Sequence, residues 1–285
     1  MKRRDFIAGG GAAATALLAA WPAAAQENWP SRPVRVIVPY AAGGGLDVVA
    51  RIVGDRLGTR LGQPFVVDNR TGASGMVGTD AVAKAKNDAY TLLATVADTQ
   101  INNAVLFKHL PYDPLNDFVP VTQMAYGSPV MVVPADIPAR NLAEFVAYAR
   151  ANRGKLSYGS WGIGGLGHVM TEAFNQGAGL EMAHAPYRGE AAMLQDLLTK
   201  SVAVGMGSVA NMAPQVQAGK LRAIALSGNQ RSLSLPDTGT FAEQGFNDPV
   251  FSVRVWMALL APAKTPPAIV EKLQREVRAV LQDAA

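Results

Sequence analysis

The stretch from Val34 to Asp47, VRVIVPYAAGGGLD, constrains the fold of this chain more than any other. It opens with an apolar run that predicts a strand buried on both faces. Pro39 ends the strand, and Gly43–Gly45 predict a turn that takes positive φ angles and exposes its amides. From Leu46 onward apolar residues recur at helical spacing, so we expect a helix to begin near this turn.

A strand, a glycine turn and a helix N-terminus together form a site that attracts an anion, because free amides and the positive end of the helix dipole point to one place. An ordinary strand-to-helix turn that binds nothing has the same sequence features. Asp47 also has two interpretations. It stabilises the helix N-terminus and pairs with Arg51, or it receives a ligand hydroxyl or ammonium. The residues leave both questions open.

Residues 1–25 predict an export signal that is removed from the mature protein. A basic start (Lys2–Arg4) precedes an apolar run (Phe6–Trp21), and the small residues Ala23–Ala25 provide a cleavage site before Gln26. The adjacent arginines also resemble a twin-arginine signal, so the export route, Sec or twin-arginine, stays open. A transmembrane helix is the alternative, but the run is short and a proline follows it. We therefore expect a periplasmic protein.

Charge and cysteine content exclude several classes of function. The formal net charge of +4 falls to +2 without the signal, which holds three of the 26 basic and one of the 22 acidic residues. No cluster of basic residues remains, so we expect no nucleic-acid partner. The chain has no cysteine, which excludes disulfides, cysteine catalysis and most structural zinc sites.

Beyond the signal, short apolar runs alternate with helix-length segments, which predicts βαβ units and an α/β fold with mostly parallel sheets. A second strand, glycine turn and helix follow about half a chain after the first, with the turn at Gly162–Gly167. Two lobes with facing glycine turns would enclose a cleft. We expect the chain to cross between them at Gly127–Pro129, which gives domain 1 residues 26–126 plus 235–285 and domain 2 residues 127–234.

The second turn, Gly162-x-Gly164-x-x-Gly167, also has the spacing of a dinucleotide fingerprint, with Glu181 near the position of the ribose-binding acid. Against a dinucleotide site, the motif lies in mid-chain, and exported proteins rarely use a free nicotinamide cofactor. We therefore expect a turn for an anion or a polar ligand, and no cofactor.

Catalytic and metal-binding patterns are weak. Ser160 lacks the glycine two residues earlier that a nucleophile elbow needs, because Tyr158 is there. The three histidines are far apart and lack the spacing of metal ligands. His168 fits a ligand contact and a helix-surface or core position equally well. We expect no catalytic residue and no metal, although a triad assembled in space keeps a secreted hydrolase or lyase as the alternative.

Several blocks of the sequence together resemble one family of proteins. They include VIVPYAAGGGLDVVAR, LGQPFVVDNRTGASGMVGTDAVAKA, LPYDPLNDFVPV, GKLSYGSWGIGGLGH and HAPYRGEAAMLQDLL, and they run in the family's order from about Trp29 to the C-terminus. The family is the Bug family of extracytoplasmic solute receptors, which is related to the TctC-type binding protein of tripartite tricarboxylate transporters.

The resemblance implies a two-domain α/β receptor of the type II periplasmic binding-protein class, which closes like a flytrap on a small carboxylate. In such a receptor the loops Tyr40–Asp47 and Ser160–His168 hold the ligand, largely through backbone amides and ordered waters. The implied ligand-binding residues are Tyr40, Ala42, Gly43, Gly44, Gly45, Asp47, Ala97, Ser160, Gly162, Gly164, Gly165, His168 and Ser208.

The resemblance also implies partners. The ligand would be a dicarboxylate, an amino acid or an aromatic acid. The receptor would be a monomer that presents it to tripartite tricarboxylate transporter membrane subunits or to a sensor kinase. The residues do not choose among these ligands, or between uptake and sensing.

The chain departs from the family pattern at several positions. It has Ala41-Ala42 where prolines are usual, Leu46 in place of threonine, and Asn87 and Ala192 in place of proline. Gly207 stands where an acidic residue is frequent. The family usually continues further, through a last helix, so a truncated, non-binding remnant is a further alternative.

Overall fold

The computed structural model describes residues 29–283, and the predicted export signal lies outside them. The strands in this part are β1 (Val34–Val38), β2 (Phe65–Asn69), β3 (Thr91–Val96), β4 (Phe118–Gly127), β5 (Pro129–Pro134), β6 (Ser157–Ser160), β7 (Ala183–Pro186), β8 (Val204–Ser208), β9 (Leu221–Leu226) and β10 (Val255–Pro262). The α-helices are α1 (Gly45–Leu61), α2 (Met76–Ala83), α3 (Asn103–Leu106), α4 (Leu142–Ala151), α5 (Leu166–Gly177), α6 (Glu190–Leu198), α7 (Val209–Gln217) and α8 (Pro267–Gln282). A π-helical turn, Asp98–Asn102, precedes α3.

The strands form two five-stranded sheets, each flanked by helices. Their orders are β2-β1-β3-β10-β4 and β7-β6-β8-β5-β9. In each sheet one strand runs against the others, because β10 pairs antiparallel with β3 and β4, and β5 pairs antiparallel with β8 and β9. The remaining pairs are parallel. This confirms the predicted α/β class with two domains, each built on a mostly parallel sheet.

The reversed strand in each sheet is the one that the chain enters after it crosses between the sheets. The first crossing, at Gly127–Pro129, joins β4 directly to β5, and the second leads into β10. The segment before β10 packs with the second sheet, since Phe241 and Phe251 stack within its core with ring centroids 4.3 Å apart. The domain boundaries stay a prediction, and this packing favours a return crossing near Val253 over one near Leu235.

The last helix, α8, closes the core of the first domain. Its apolar stripe places Leu273 and Val277 fully inside that core, together with Leu57 of α1. Lys272 Nζ also donates a hydrogen bond to the Trp29 carbonyl oxygen at 2.7 Å, which connects α8 to the start of the described chain. Helix α8 is therefore an integral part of the first domain.

Replacing Leu273 with alanine should lower the free energy of unfolding by about 2–5 kcal/mol, because the shorter side chain leaves a cavity that the core only partly fills. Thermal or urea unfolding measures the loss. Arg278→Ala, on the exposed face of the same helix, is the matched control and should change stability by less than about 0.5 kcal/mol. Equal stability of Leu273→Ala and the parent protein would show that the core does not depend on α8.

Candidate functional site

The first loop, residues 39–44 between β1 and α1, has a more specific geometry than its sequence indicates. Among its glycines only Gly43 has a positive φ angle, +84°, whereas Gly44 is extended at −77°. Gly45 begins α1, and a Cβ there would lie 3.0 Å from the Ser208 hydroxyl oxygen. The expectation of positive φ angles across the turn therefore holds only at Gly43, while Gly45 leaves room for the close approach of Ser208.

Asp47 is fully occupied by partners within its own domain. It is 3% exposed, and its carboxylate accepts hydrogen bonds from the Gly43 amide (2.9 Å), from Asn69 (2.9 Å) and from two guanidinium nitrogens of Arg51 (3.0 Å each). Burial by itself would raise the pKa of Asp47, but the bonds from Arg51, Gly43 and Asn69 outweigh burial and lower the pKa. This arrangement favours the interpretation that Asp47 stabilises the first loop and the start of α1.

Asp47→Asn should lower the free energy of unfolding by about 1–3 kcal/mol at neutral pH, because an amide group turns a donor toward the buried donors that the carboxylate accepts from. The lowered pKa means that the carboxylate stabilises the fold above its unfolded pKa, about 4. That contribution is lost as the pH falls through the lower folded pKa, so the variant and the parent should converge in acid.

Unfolding curves at several pH values measure this difference, and Asp55→Asn, exposed on the same helix, is the matched control. Unchanged stability of Asp47→Asn with an altered choice of ligand would instead support a direct contact between Asp47 and the ligand.

A carboxylate from the second domain occupies the N-terminus of α1. Glu190, the first residue of α6, is 8% exposed, and its Oε2 accepts a hydrogen bond from the Gly45 amide at 3.0 Å. The same carboxylate accepts from the Ser208 amide, from the Ser208 hydroxyl (3.0 Å) and from Asn211 Nδ2 (3.0 Å). Burial raises the pKa of Glu190 against the effect of these bonds. The predicted anion site at the first glycine turn thus holds a side chain of the protein itself.

The second loop, residues 161–165 between β6 and α5, has the reciprocal arrangement. Asp98, from the first domain, accepts hydrogen bonds from the Leu166 amide at the start of α5 (3.1 Å) and from Trp161 Nε1 (2.8 Å). It is 4% exposed, and burial raises its pKa to about 6 although both hydrogen bonds oppose the shift. Each helix N-terminus that the sequence marked as an anion site is therefore bound by a carboxylate of the opposite domain.

Further polar contacts between the loops bring the two domains together. Asn211 Nδ2 donates to the Gly43 carbonyl oxygen at 3.0 Å, and Asn102 Nδ2 donates to the Gly164 carbonyl oxygen at 2.9 Å. The Ser74 hydroxyl donates to a carbonyl oxygen of the second loop at 2.9 Å. The cleft is closed along the side where the glycine turns face each other.

Trp161 should report the ionisation of Asp98. The emission spectrum of the folded protein should change with a midpoint near pH 6, because the carboxylate that accepts the indole N–H above this pH is protonated below it. Asp98→Asn should remove the step, and Trp161→Phe should remove the signal. A step near pH 4, about the value of an exposed aspartate, would show that the cleft is open in solution.

A cavity of about 850 Å³ lies between the two domains, beside the contacts that close the cleft. Its walls come from the first loop and α1, from the end of β4 and the first crossing, from the start of α7, and from residues 229–233 and 252–257. This size suits a small organic molecule. Both domains contribute to the wall, so a molecule bound here would contact both.

The predicted site residues divide into three groups. Those that line the cavity are Tyr40, Gly44, Gly45, Asp47 and Ser208. Gly162 and Gly165 line a small crevice next to it, and the predicted residues outside both spaces are Ala42, Gly43, Ala97, Ser160, Gly164 and His168. The Tyr40 hydroxyl is buried and has no hydrogen-bond partner within the described residues.

A serine–histidine pair is present next to the second loop. The Ser160 hydroxyl and His184 Nε2 are 2.8 Å apart, and the His184 ring stacks on His168 with centroids 3.9 Å apart. Burial and the neighbouring His168 lower the pKa of His184 to about 4. Ser160 is fully buried and also donates to the Gly162 carbonyl oxygen, while His168 Nδ1 accepts from the Gly164 amide at 3.0 Å. These side chains order the second loop, and no carboxylate within residues 29–283 hydrogen-bonds to His184.

Residues 29–283 contain no helix long and apolar enough to cross a membrane. They also contain no group of three or more histidine, aspartate or glutamate side chains placed to hold a metal ion.

The sequence of this chain matches the model of a known protein family. The model, described as "Tripartite tricarboxylate transporter family receptor" (TctC), matches residues 49–285. The chain belongs to this family. One relative of this TctC-family chain is Protein BugT of Bordetella pertussis, which is 35% identical over 260 residues that cover 91% of this chain and 79% of BugT. The resemblance to the Bug family is confirmed.

Solved structures of similar proteins agree with the TctC-family fold. "R. palustris Rpa4515 with adipate" superposes with a TM-score of 0.84 at 34% identity, over 88% of this chain and 83% of that one. "MatC (Rpa3494) from Rhodopseudomonas palustris with bound malate" superposes with a TM-score of 0.83 at 30% identity, over 88% of this chain and 85% of that one.

Proposed function

We propose that this protein is a periplasmic solute receptor that captures a small carboxylate between its two domains and presents it to a membrane transporter or a sensor kinase. The observation that carries the proposal is the cavity of about 850 Å³ with walls from both domains. The TctC family and its relatives with adipate and malate support a carboxylate as the ligand class. The predicted export signal supports the location.

Closure of the cleft is the step that a receptor of this kind uses. Two crossings connect the domains, at Gly127–Pro129 and near Val253, and they act as hinges that absorb the motion. A ligand that contacts both walls binds the closed form more tightly and shifts the population toward it. A membrane partner then distinguishes the loaded form from the empty form by the relative position of the domains.

A thermal-shift screen of the processed protein, residues 26–285, against a panel of small carboxylates tests the proposal. A specific ligand at about 100 times its Kd should add about 2.7 kcal/mol of stability and raise the melting midpoint. A panel of related esters tests the hydrolase alternative in the same sample. A cooperative melt that no carboxylate shifts, or turnover of an ester, would contradict the proposed function.

Two matched glycine variants test whether the rise in melting midpoint caused by the ligand depends on closure of the cleft. Gly45→Val should abolish it, because its Cβ would meet the Ser208 hydroxyl at 3.0 Å and keep the domains apart. Gly44→Ala should retain it, because the nearest atom to its Cβ is 3.7 Å away. Equal ligand shifts in the two variants would show that the ligand binds without closure at this loop.

A further inference from the structure

The charges around the cavity are divided between its two ends. We propose that this receptor selects monocarboxylates with an apolar body over dicarboxylates, and that Arg254, stacked on Tyr126, binds the ligand carboxylate. This inference rests on the proposed function and adds the ligand class and a binding residue. It starts from the groups that line the cavity.

Arg254 is a cation poised for a carboxylate at the crossing end of the cavity. Its guanidinium lies over the Tyr126 ring, 3.9 Å from the centroid, and both side chains line the cavity. No carboxylate of residues 29–283 lies within ion-pair distance of it, whereas Arg231, also on the cavity wall, is paired with Glu243 at 2.9 Å. Stacking fixes the plane of the guanidinium and leaves its N–H edge available for two parallel hydrogen bonds to a carboxylate.

The loop end of the cavity is acidic. Glu190, Asp98 and Asp47 all line it, and each is less than 9% exposed. The Gly45 amide, which a second ligand carboxylate would use at the N-terminus of α1, already donates to Glu190. A dicarboxylate would bring its second charge against Glu190 and Asp98, in a buried place where repulsion between like charges is strong, whereas the charge of Asp47 is compensated by Arg51.

Neighbouring residues of the second domain leave space for the Glu190 carboxylate and supply donors to it. A Cβ on Gly207 would lie 2.1 Å from Met212 Cε and 2.7 Å from Glu190 Oε1, so glycine at residue 207 leaves the space that both side chains use. Ser208 and Asn211 then supply donors on either side of it. The carboxylate at the start of α1 is thus built into the second domain, and the subsite that it fills is closed to a ligand anion.

The wall between the two ends is largely apolar. The residues that form it are Leu46, Val49, Val96, Ala125, Val209, Val255 and Met257. Tyr40, with its unpartnered buried hydroxyl, stands at the acidic end. Burial of a hydrocarbon chain or an aromatic ring against such a wall contributes favourable binding free energy. The complementary solute carries one carboxylate at the Arg254 end and an apolar body toward the loops.

Calorimetric titration of the processed protein with matched pairs of acids tests this inference. The pairs are hexanoate with adipate, octanoate with octanedioate, and benzoate with terephthalate, at one pH and one salt concentration. The monocarboxylate of at least one pair should bind about tenfold or more tightly than its partner. Glu190→Gln should shift this ratio toward the dicarboxylate, because it removes the opposing charge.

Arg254→Gln should weaken binding of the preferred monocarboxylate by about tenfold or more, and Arg254→Lys should restore part of the affinity. Arg278→Gln is the matched control, since it removes an exposed arginine of α8 away from the cavity. Unfolding curves of each variant verify that it is folded.

The outcomes separate the two proposals. Tighter binding of dicarboxylates by the parent protein, or full affinity in folded Arg254→Gln, would overturn the inference and leave the proposed function in place. Failure of every acid to bind would overturn the proposed function as well.

Discussion

Two carboxylates that cross the cleft determine how the domains of this protein meet. Glu190 of the second domain binds the start of α1, and Asp98 of the first domain binds the start of α5. Each side chain compensates the dipole of a helix on the opposite domain and satisfies amides that would otherwise need water or a ligand. The closed cleft, the position of the cavity and the division of charge within it all depend on these two contacts between a carboxylate and a helix N-terminus.

The local structure around the site could be predicted from the sequence. Periodicity in the stretch Val34–Asp47 indicates the strand and the helix, and glycines between them indicate the turn. The cap of α4 is equally local, because the Asn141 side chain accepts a hydrogen bond from the Glu144 amide at 2.9 Å. Such features depend on neighbours within a few residues, which a single sequence contains. The two strand, turn and helix units also indicated glycine turns that face each other across a cleft, and the family resemblance agreed with this.

The contacts that close the cleft were not predictable in the same way. Glu190 and Gly45 are 145 residues apart, and Asp98 and Leu166 are 68 apart, so no spacing rule connects them. Asp98 lies in the π-helical turn after β3, and Glu190 is an acidic residue in the first turn of its helix, as is common in helices. The absence of an acidic side chain at residue 207 was visible, but the use of that space by Met212 Cε and Glu190 Oε1 required the structure.

The most direct measurement is a crystal structure of the processed protein with its tightest-binding carboxylate. We expect the Glu190 carboxylate to stay on the Gly45 amide, at the 3.0 Å seen here, with the ligand carboxylate on the Arg254 guanidinium. A ligand carboxylate on the Gly45 amide, with Glu190 displaced, would contradict the central claim that the protein fills this subsite with its own side chain.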